Sequence, residues 1–376
     1  MGRRVDVAII GAGTMGSAAA YHLAKRGCGV IAFEQFQIVH EKGSHSGSTR
    51  IIRHAYHESP DYVPLVLRAD QLWLDLEQQL QTRLLIRTGA VVMGPHECEA
   101  VIGAIVACER HSLPYEKLTA AAIRQRWPQF TIPADWEGCF DPMAGFLLVE
   151  PCIKSQIGLA ARHGATIREN ESVKSTATLK NGFRIETDKN TYEVDKIIVT
   201  AGAWTAHVLK ELQLPLTVKR RTVTWLRPRH PNLFHVDKFP IFLADLPGGL
   251  LYGFPLYGSD GLKIANHHSR GPAIDPDSAD RNYSNDDATD AIAFARAYLP
   301  GVSEEIVEGK VCLYNLTPDE DFILDFHPQN KNMLIASGFS GHGFKFAPVI
   351  GEIVADLCLN GKTSMPIDRF RISRFS

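Results

Sequence analysis

The 376-residue chain lacks the features that mark several classes of function. No apolar stretch approaches the roughly 18 residues of a membrane-spanning helix. The first apolar run, Val5–Ile10, leads straight into a glycine motif and leaves no room for a secretory leader, so a cytoplasmic protein is expected. Neither sign of charge is in excess: 40 Lys and Arg against 42 Asp and Glu give a formal net charge of −2. That balance offers no footprint for nucleic acid or an anionic membrane surface. The seven cysteines, at 28, 98, 108, 139, 152, 312 and 358, form no C-x-x-C pair, so neither a disulfide framework nor a zinc site is expected. His267-His268 lacks the i, i+4 spacing of a helical metal pair, and no metal is expected. Nucleophile elbow and P-loop are both missing. Pro318-Asp319-Glu320-Asp321 reads as a solvated turn rather than as paired catalytic carboxylates.

What is present is an ordinary globular composition, 45% hydrophobic and 22% charged. The length exceeds the ~250–300 residues at which a single core stops growing, so two domains are expected. Val5–Ile10 is a β-branched strand, Gly11-Ala12-Gly13-Thr14-Met15-Gly16 a turn, and Ser17–Arg26 a small-residue helix closed by Gly27. A second apolar run, Gly29–Phe33, ends in Glu34 and completes a β-α-β unit. Asp61–Leu80 predicts an amphipathic helix with Val63, Leu65, Val66, Leu67, Leu72, Leu74 and Leu76 on its packing face. Cys152–His163 predicts another helix and Lys196–Thr200 a buried strand. The middle of the chain, roughly 219–320, is dense in aromatics, Pro and Gly, and its runs Arg221–Leu226 and Leu250–Phe254 predict an antiparallel sheet. The first pattern returns in strand-like Asn332–Ser337, the glycine loop Gly338–Gly343 and the apolar helix Pro348–Leu359.

The glycines of the first turn have distinct roles. Gly11 permits the turn, Gly13 lets the backbone approach a pyrophosphate, and Gly16 lets helix pack on strand. The helix N-terminus then offers free N–H groups and a positive dipole end to the phosphates. Glu34 falls where an acid accepts the ribose hydroxyls. A dinucleotide site follows, although the motif alone does not separate FAD from NAD.

Five motifs occur in order along the chain: Gly43-Ser44-His45-Ser46-Gly47-Ser48-Thr49-Arg50-Ile51-Ile52-Arg53-His54-Ala55-Tyr56, Tyr252-Gly253-Phe254-Pro255, Gly261-Leu262-Lys263, Val311-Cys312-Leu313-Tyr314 and Gly338 to Phe346. In these stretches the sequence resembles the monomeric sarcosine oxidase family, which includes N-methyltryptophan oxidase and carries covalent FAD. The resemblance implies an α/β (α+β overall) architecture. In it a Rossmann-like FAD-binding domain (1–82, 148–218 and 321–376) carries an inserted antiparallel-sheet substrate domain (83–147 and 219–320). It also implies an FAD-dependent oxidase of a secondary amino acid, acting as a monomer with a small amino-acid substrate and O₂ as partners. Other amines on the same scaffold stay open: N-methyltryptophan, a cyclic imino acid, glycine or a glycated amino acid. A non-catalytic FAD-binding module is the reading from another class.

By resemblance, Arg53 and Lys345 clamp the substrate carboxylate, the one as a planar fork and the other as a point charge. Tyr56, Tyr314, Tyr252 and His267 line the substrate pocket, and Lys263 serves dioxygen as the only local cation. Cys312 matches the cysteine that forms a thioether to the flavin. Cofactor contacts are implied at Ser44, His45, Thr49, Arg50, Val173, Gly202, Trp204, Gly341, His342, Gly343, Phe344 and Lys345, beside Gly11, Gly13, Thr14, Met15, Gly16 and Glu34. Arg50, His267 and Tyr252 are also implied in catalysis. The family usually has His and Asp where this chain has Ser46 and Ser48, which bears on how completely flavin becomes attached.

Overall fold

The computed structural model describes residues 5–269 and 271–375, so residues 1–4 of the expected nucleotide-binding segment lie outside it. Val5–Ile10 is buried over its last four residues, as a β-branched run in a parallel sheet must be when both faces are covered. Gly11 takes φ +97° and turns the chain into the helix Thr14–Lys25. The buried Ala18, Ala19 and Ala20 keep that helix thin, so the C-terminal helix Ala347–Asn360 presses against it. A Cβ on Gly351 would lie 2.6 Å from the Ala18 backbone, which only glycine permits.

The first sheet runs Thr166–Arg168, Val30–Phe33, Val5–Ile10, Thr191–Val199 and Asn330–Ser337, all parallel, with Ile323–His327 antiparallel at the edge. A hairpin, Val173–Leu179 with Gly182–Thr187, adds to the first half of Thr191–Val199. Three well-separated pieces of chain therefore build one sheet, as the order of sequence patterns predicts.

The second sheet contains eight strands, from Val302–Leu316 and Thr217–Pro228 at one edge to Glu116–Thr119 at the other. It departs from the expected purely antiparallel sheet in one pairing, because Ile241–Leu246 runs parallel to Ala90–Pro95. Those strands come from different stretches of chain, so no hairpin dictates their direction. A small third sheet joins Thr49–Ile52, Gly145–Leu148 and Leu85–Arg87, across the expected boundaries at 82/83 and 147/148.

The expected helix at Asp61–Leu80 forms as Val63–Leu80, but Leu74 faces solvent at 38% exposure rather than the core. Leu72, Trp73 and Leu76 complete the buried stripe without it. Among the described residues no helix is long and apolar enough to cross a membrane.

Candidate cofactor and substrate site

A cavity of about 570 Å³ opens at the carboxyl ends of the parallel strands, where ligands of open α/β sheets bind. Gly11, Gly13, Thr14 and Met15 line it at the helix N-terminus and Glu34 at the end of the second strand. Ser44, His45 and Arg50 reach it from the Ser-rich loop, Val173, Gly202 and Trp204 from the segments on either side of the strand ending at Val199, and Gly341, Gly343, Phe344 and Tyr314 from the far side. Glu34 is buried, with Oε1 accepting from the Phe36 N–H at 3.1 Å.

The glycines differ as their sequence positions predict. A Cβ on Gly16 would collide with the Gly11 carbonyl oxygen, so Gly16 shapes the protein rather than the cavity and is not part of the lining. A Cβ on Gly13 would meet only the His45 ring at 3.9 Å, an ordinary contact. The protein does not need a glycine there; a bound ligand does.

Two further observations mark a polar occupant. His45 Nε2 and Ser46 Oγ are buried without a partner among the described residues. Burial, then His40 and Arg50, push His45 down to about 3, leaving a neutral ring. Buried orphan atoms of this kind are normally satisfied by a ligand or an ordered water.

Arg50 braces this wall: its guanidinium donates to the carbonyls of Ser44 (3.0 Å), Ser46 (2.5 Å), Gly47 (3.1 Å) and Thr49 (2.8 Å). Lys263 Nζ donates to the same Thr49 carbonyl at 2.9 Å and sits 4.6 Å over the Phe254 ring. Lys263 is therefore not the only local cation. Burial and then Arg50 push it well below its ordinary pKa. Cys312 is buried on the strand Val302–Leu316, whose Leu313 N–H donates to Gly43 of the same wall at 3.3 Å. Burial pushes the thiol up, with Arg50, Lys263 and Arg221 opposing.

A second cluster lies around Tyr56. Arg53 donates to Glu58 at 2.5 and 2.7 Å and to the Ala55 carbonyl at 3.2 Å, with its guanidinium 4.4 Å over the Tyr56 ring. Lys345 Nζ stands over the same ring at 5.3 Å and donates to the His342 carbonyl at 2.7 Å. Trp73 fixes it from behind by donating to the Lys345 carbonyl at 2.9 Å. Burial, then Arg53, push Lys345 down to about 7, with Glu58 opposing. Burial works to raise Glu58, yet Arg53 and His57 hold it well below the usual carboxylate range. His342 is turned away from the cavity: its ring contacts Tyr56 Oη at 2.6 Å and the Glu320 carbonyl at 3.1 Å. His267 Nδ1 meets Tyr314 Oη at 3.2 Å, and burial, then His268 and His342, push that imidazole well below its ordinary value. Tyr252 is half-buried, one strand from Lys263.

A family profile described as FAD dependent oxidoreductase (DAO) matches residues 6–357. The chain belongs to the FAD dependent oxidoreductase family. It is 40% identical to the monomeric sarcosine oxidase of Bacillus sp. (strain B-0618), over all of this chain and 97% of the relative. It is 35% identical to the N-methyl-L-tryptophan oxidase of Yersinia pestis (strain Pestoides F), over 98% of this chain and 99% of that one. Among solved structures it is similar to NikD, an unusual amino acid oxidase essential for nikkomycin biosynthesis, with TM-score 0.87, 26% identity and 98% of each chain covered. Glycine oxidase from Geobacillus kaustophilus shares the fold at TM-score 0.83 and 22% identity over 99% of each chain.

For a member of this family, the cavity and its orphan atoms fit FAD. Gly11 to Met15 and the helix N-terminus suit its pyrophosphate, Glu34 its ribose, and the wall of Ser44, His45 and Arg50 its ring system. The turn at Pro318–Asp321 is not simply solvated: Asp321 is buried and accepts from Tyr62 Oη at 2.8 Å and Arg369 at 2.6 Å. Glu320 comes within 3.7 Å of His268, and with His267 they form a group whose geometry could hold a metal ion. Linear spacing does not show that grouping, because Glu320 arrives from a distant strand end. The sequence reading also missed Glu58, His54, Asp70 and Asp141. Glu58 alone had a signal, an acid shortly after Arg53.

Proposed function

We propose that this flavoprotein oxidises a secondary N-methyl amino acid, with sarcosine as the type substrate and O₂ as acceptor, giving the amino acid, formaldehyde and hydrogen peroxide. The observation that carries the reading is an excess of buried positive charge. Arg53 and Lys345 converge on Tyr56 with the Glu58 carboxylate paired to Arg53, while Asp141 is already engaged by the N–H groups of His54 (2.6 Å) and Ala55 (3.1 Å). Two buried cations, Arg53 and Lys345, with one part-exposed anion favour a second carboxylate, which Arg53 can bind in a planar fork. That ligand also stabilises the protonated form of Lys345. The substrate nitrogen must shed its proton before its lone pair assists C–H cleavage. His267 is held neutral, the form in which a ring nitrogen can accept a hydrogen bond.

FAD, when bound, would supply the two-electron chemistry, as acceptor of a hydride equivalent from the carbon beside nitrogen and as source of electrons for O₂. The imine left behind hydrolyses in water. Lys263 and Arg50, which donate to the same Thr49 carbonyl, are proposed as the groups that serve oxygen reduction. Lys263, pressed toward neutrality by burial, becomes an ammonium most readily when negative charge develops next to it. Gly11, Gly13, Thr14, Met15, Glu34, Ser44, His45, Thr49, Val173, Gly202, Trp204, Gly341, Gly343 and Phe344 are proposed as the cofactor's bed, with Gly16 and His342 shaping it from outside the lining, and Cys312 as its thioether attachment. The active unit is proposed to be a cytoplasmic monomer whose FAD-binding and substrate segments divide as the sequence implies.

A peroxide-coupled screen with sarcosine, N-methyltryptophan, pipecolate, proline and glycine tests the reaction, and peroxide from none of them would sink it. Denaturation in acid tests the attachment: the yellow colour stays with the polypeptide and is released by Cys312→Ser. Colour leaving the unaltered protein would remove the covalent claim, with Ser46 and Ser48 as the first suspects.

A further inference from the structure

His54 follows Arg53 in a stretch, 53–56, that has no strand or helix ladder to hold it. It is fully buried, with Nδ1 3.7 Å from Asp141 Oδ2 and Nε2 3.7 Å from Asp70 Oδ2. These are ion-pair rather than hydrogen-bond distances. A neutral imidazole carries a single N–H, so its other nitrogen would aim a lone pair at a carboxylate; only the imidazolium presents an N–H to both sides.

The surrounding charges demand the same form. Asp70 takes two bonds from Arg87, at 2.8 and 2.6 Å. Asp141 Oδ2 accepts the backbone N–H groups of His54 and Ala55, and Oδ1 accepts that of Met143 at 2.9 Å. Asp70, His54 and Asp141 thus form a buried row, closed at its surface end by the exposed Arg87, that is neutral only with His54 protonated, and a lone buried charge is costly. Burial works to lower the His54 pKa, but Asp141 and Asp70 outweigh it and push it to about 9.

We propose that His54 is a buried imidazolium that positions Arg53, locked between Asp70 and Asp141 so that the 53–56 backbone presents the guanidinium to a substrate carboxylate. The mechanical link is short. Arg53 rests on the Ala55 carbonyl at 3.2 Å, the Ala55 N–H is held by Asp141, and His54 balances the charge of Asp141. The inference rests on Arg53 as the carboxylate anchor.

The test uses the holoenzyme and two ligands of the same shape, the anionic pyrrole-2-carboxylate and the neutral pyrrole-2-carboxamide, titrated by flavin absorbance. His54→Gln keeps a polar side chain and removes the charge. It weakens the carboxylate by about tenfold or more, as loss of a charge-assisted interaction does, and leaves the carboxamide nearly unchanged. Equal loss for both ligands, or loss for neither, overturns the proposal. Arg53→Ala separates the two levels: if it discriminates between the ligands and His54→Gln does not, only the positioning role falls, and if Arg53→Ala fails to discriminate, the anchor itself falls. Should His54→Gln not fold, ¹⁵N-histidine NMR of the unaltered protein decides. Both ring nitrogens of His54 remain protonated through pH 8, and a singly protonated ring at pH 7 contradicts the proposal.

Discussion

The proposed cofactor cradle and the proposed substrate anchor are built from opposite materials. The first part of the cradle, from Gly11 to Glu34, uses backbone amides, glycines and one acid, all within a single β-α-β unit. The anchor is made of charge gathered from distant places, all of it buried except Glu58: Arg53 and Glu58 on one loop, Asp70 on a helix, Asp141 at a strand end, and Lys345 on the turn Phe344–Phe346. A cradle of backbone works through shape, so its failures should be steric. An anchor of side-chain charge works through electrostatics in a dry site, so its failures should depend on ligand charge and pH.

The sharpest break in that comparison lies at Lys263, which touches the cradle wall but belongs with the charged group. Lys263→Met keeps the apolar stem, so anaerobic reduction of the flavin by substrate should slow little. Reoxidation by O₂ should fall by about 10²–10³, the cost of deleting one preorganised electrostatic stabiliser. Stopped-flow absorbance reads the two steps separately. A normal reoxidation with failed reduction would place Lys263 in the anchor, and Arg50 would be the cation left to serve oxygen.

Next in size is the anchor. Arg53→Ala should weaken carboxylate ligands by about 1.5–3 kcal/mol, roughly ten- to more than a hundredfold. Because Glu58, whose side chain is 25% exposed, would then lose its partner, a modest loss of stability is expected as well. Unchanged affinity with lowered stability would mean that the Arg53–Glu58 pair is structural only.

The cradle is tested with two alanines. Gly16→Ala drives a Cβ into the Gly11 carbonyl and should cost about 1–3 kcal/mol of stability, as overpacking does. Gly13→Ala meets only the His45 ring and should fold normally while retaining FAD less well. Thermal melts of the apo chains and flavin content of the purified proteins separate the outcomes; equal melting temperatures would remove the distinction.

The smallest expected effect is in pH. Lys345 has been pushed down to about 7, and a ligand carboxylate favours its protonated form. Affinity for carboxylate ligands should therefore be highest below pH 7 and decline as pH rises through it, by no more than about tenfold per unit for one proton. Lys345→Met should weaken binding at low pH and flatten the profile. A wild-type profile flat from pH 6 to 9 would mean that Arg53 carries the anchor alone.

This contrast also explains what is legible in the sequence. Gly11, Gly13, Gly16 and Glu34 can be assigned physical roles directly, because each role is local to one turn and the structure keeps them in register. The alternation of sheet segments is readable for the same reason. Arg53 and Lys345 stand out only through resemblance, since nothing in either motif shows that they meet over Tyr56. Asp70 and Asp141 carry no signal: one sits in a helix whose pattern reads only as packing, the other at a strand end far from His54 in sequence. Lys263 reads wrongly as a solitary cation because the carbonyl it shares with Arg50 belongs to the strand Thr49–Ile52, contributed by another segment. Periodicity places Leu74 inside, although the stripe is already wide enough without it.

The most direct test of the account compares sarcosine with sarcosinamide, which has the same N-methyl group but no carboxylate. With the holoenzyme in air, sarcosine should yield formaldehyde and hydrogen peroxide in equal amounts, and sarcosinamide should show kcat/KM lower by about tenfold or more. Equal turnover of the two would contradict the claim that buried Arg53 and Lys345 select the substrate through its carboxylate.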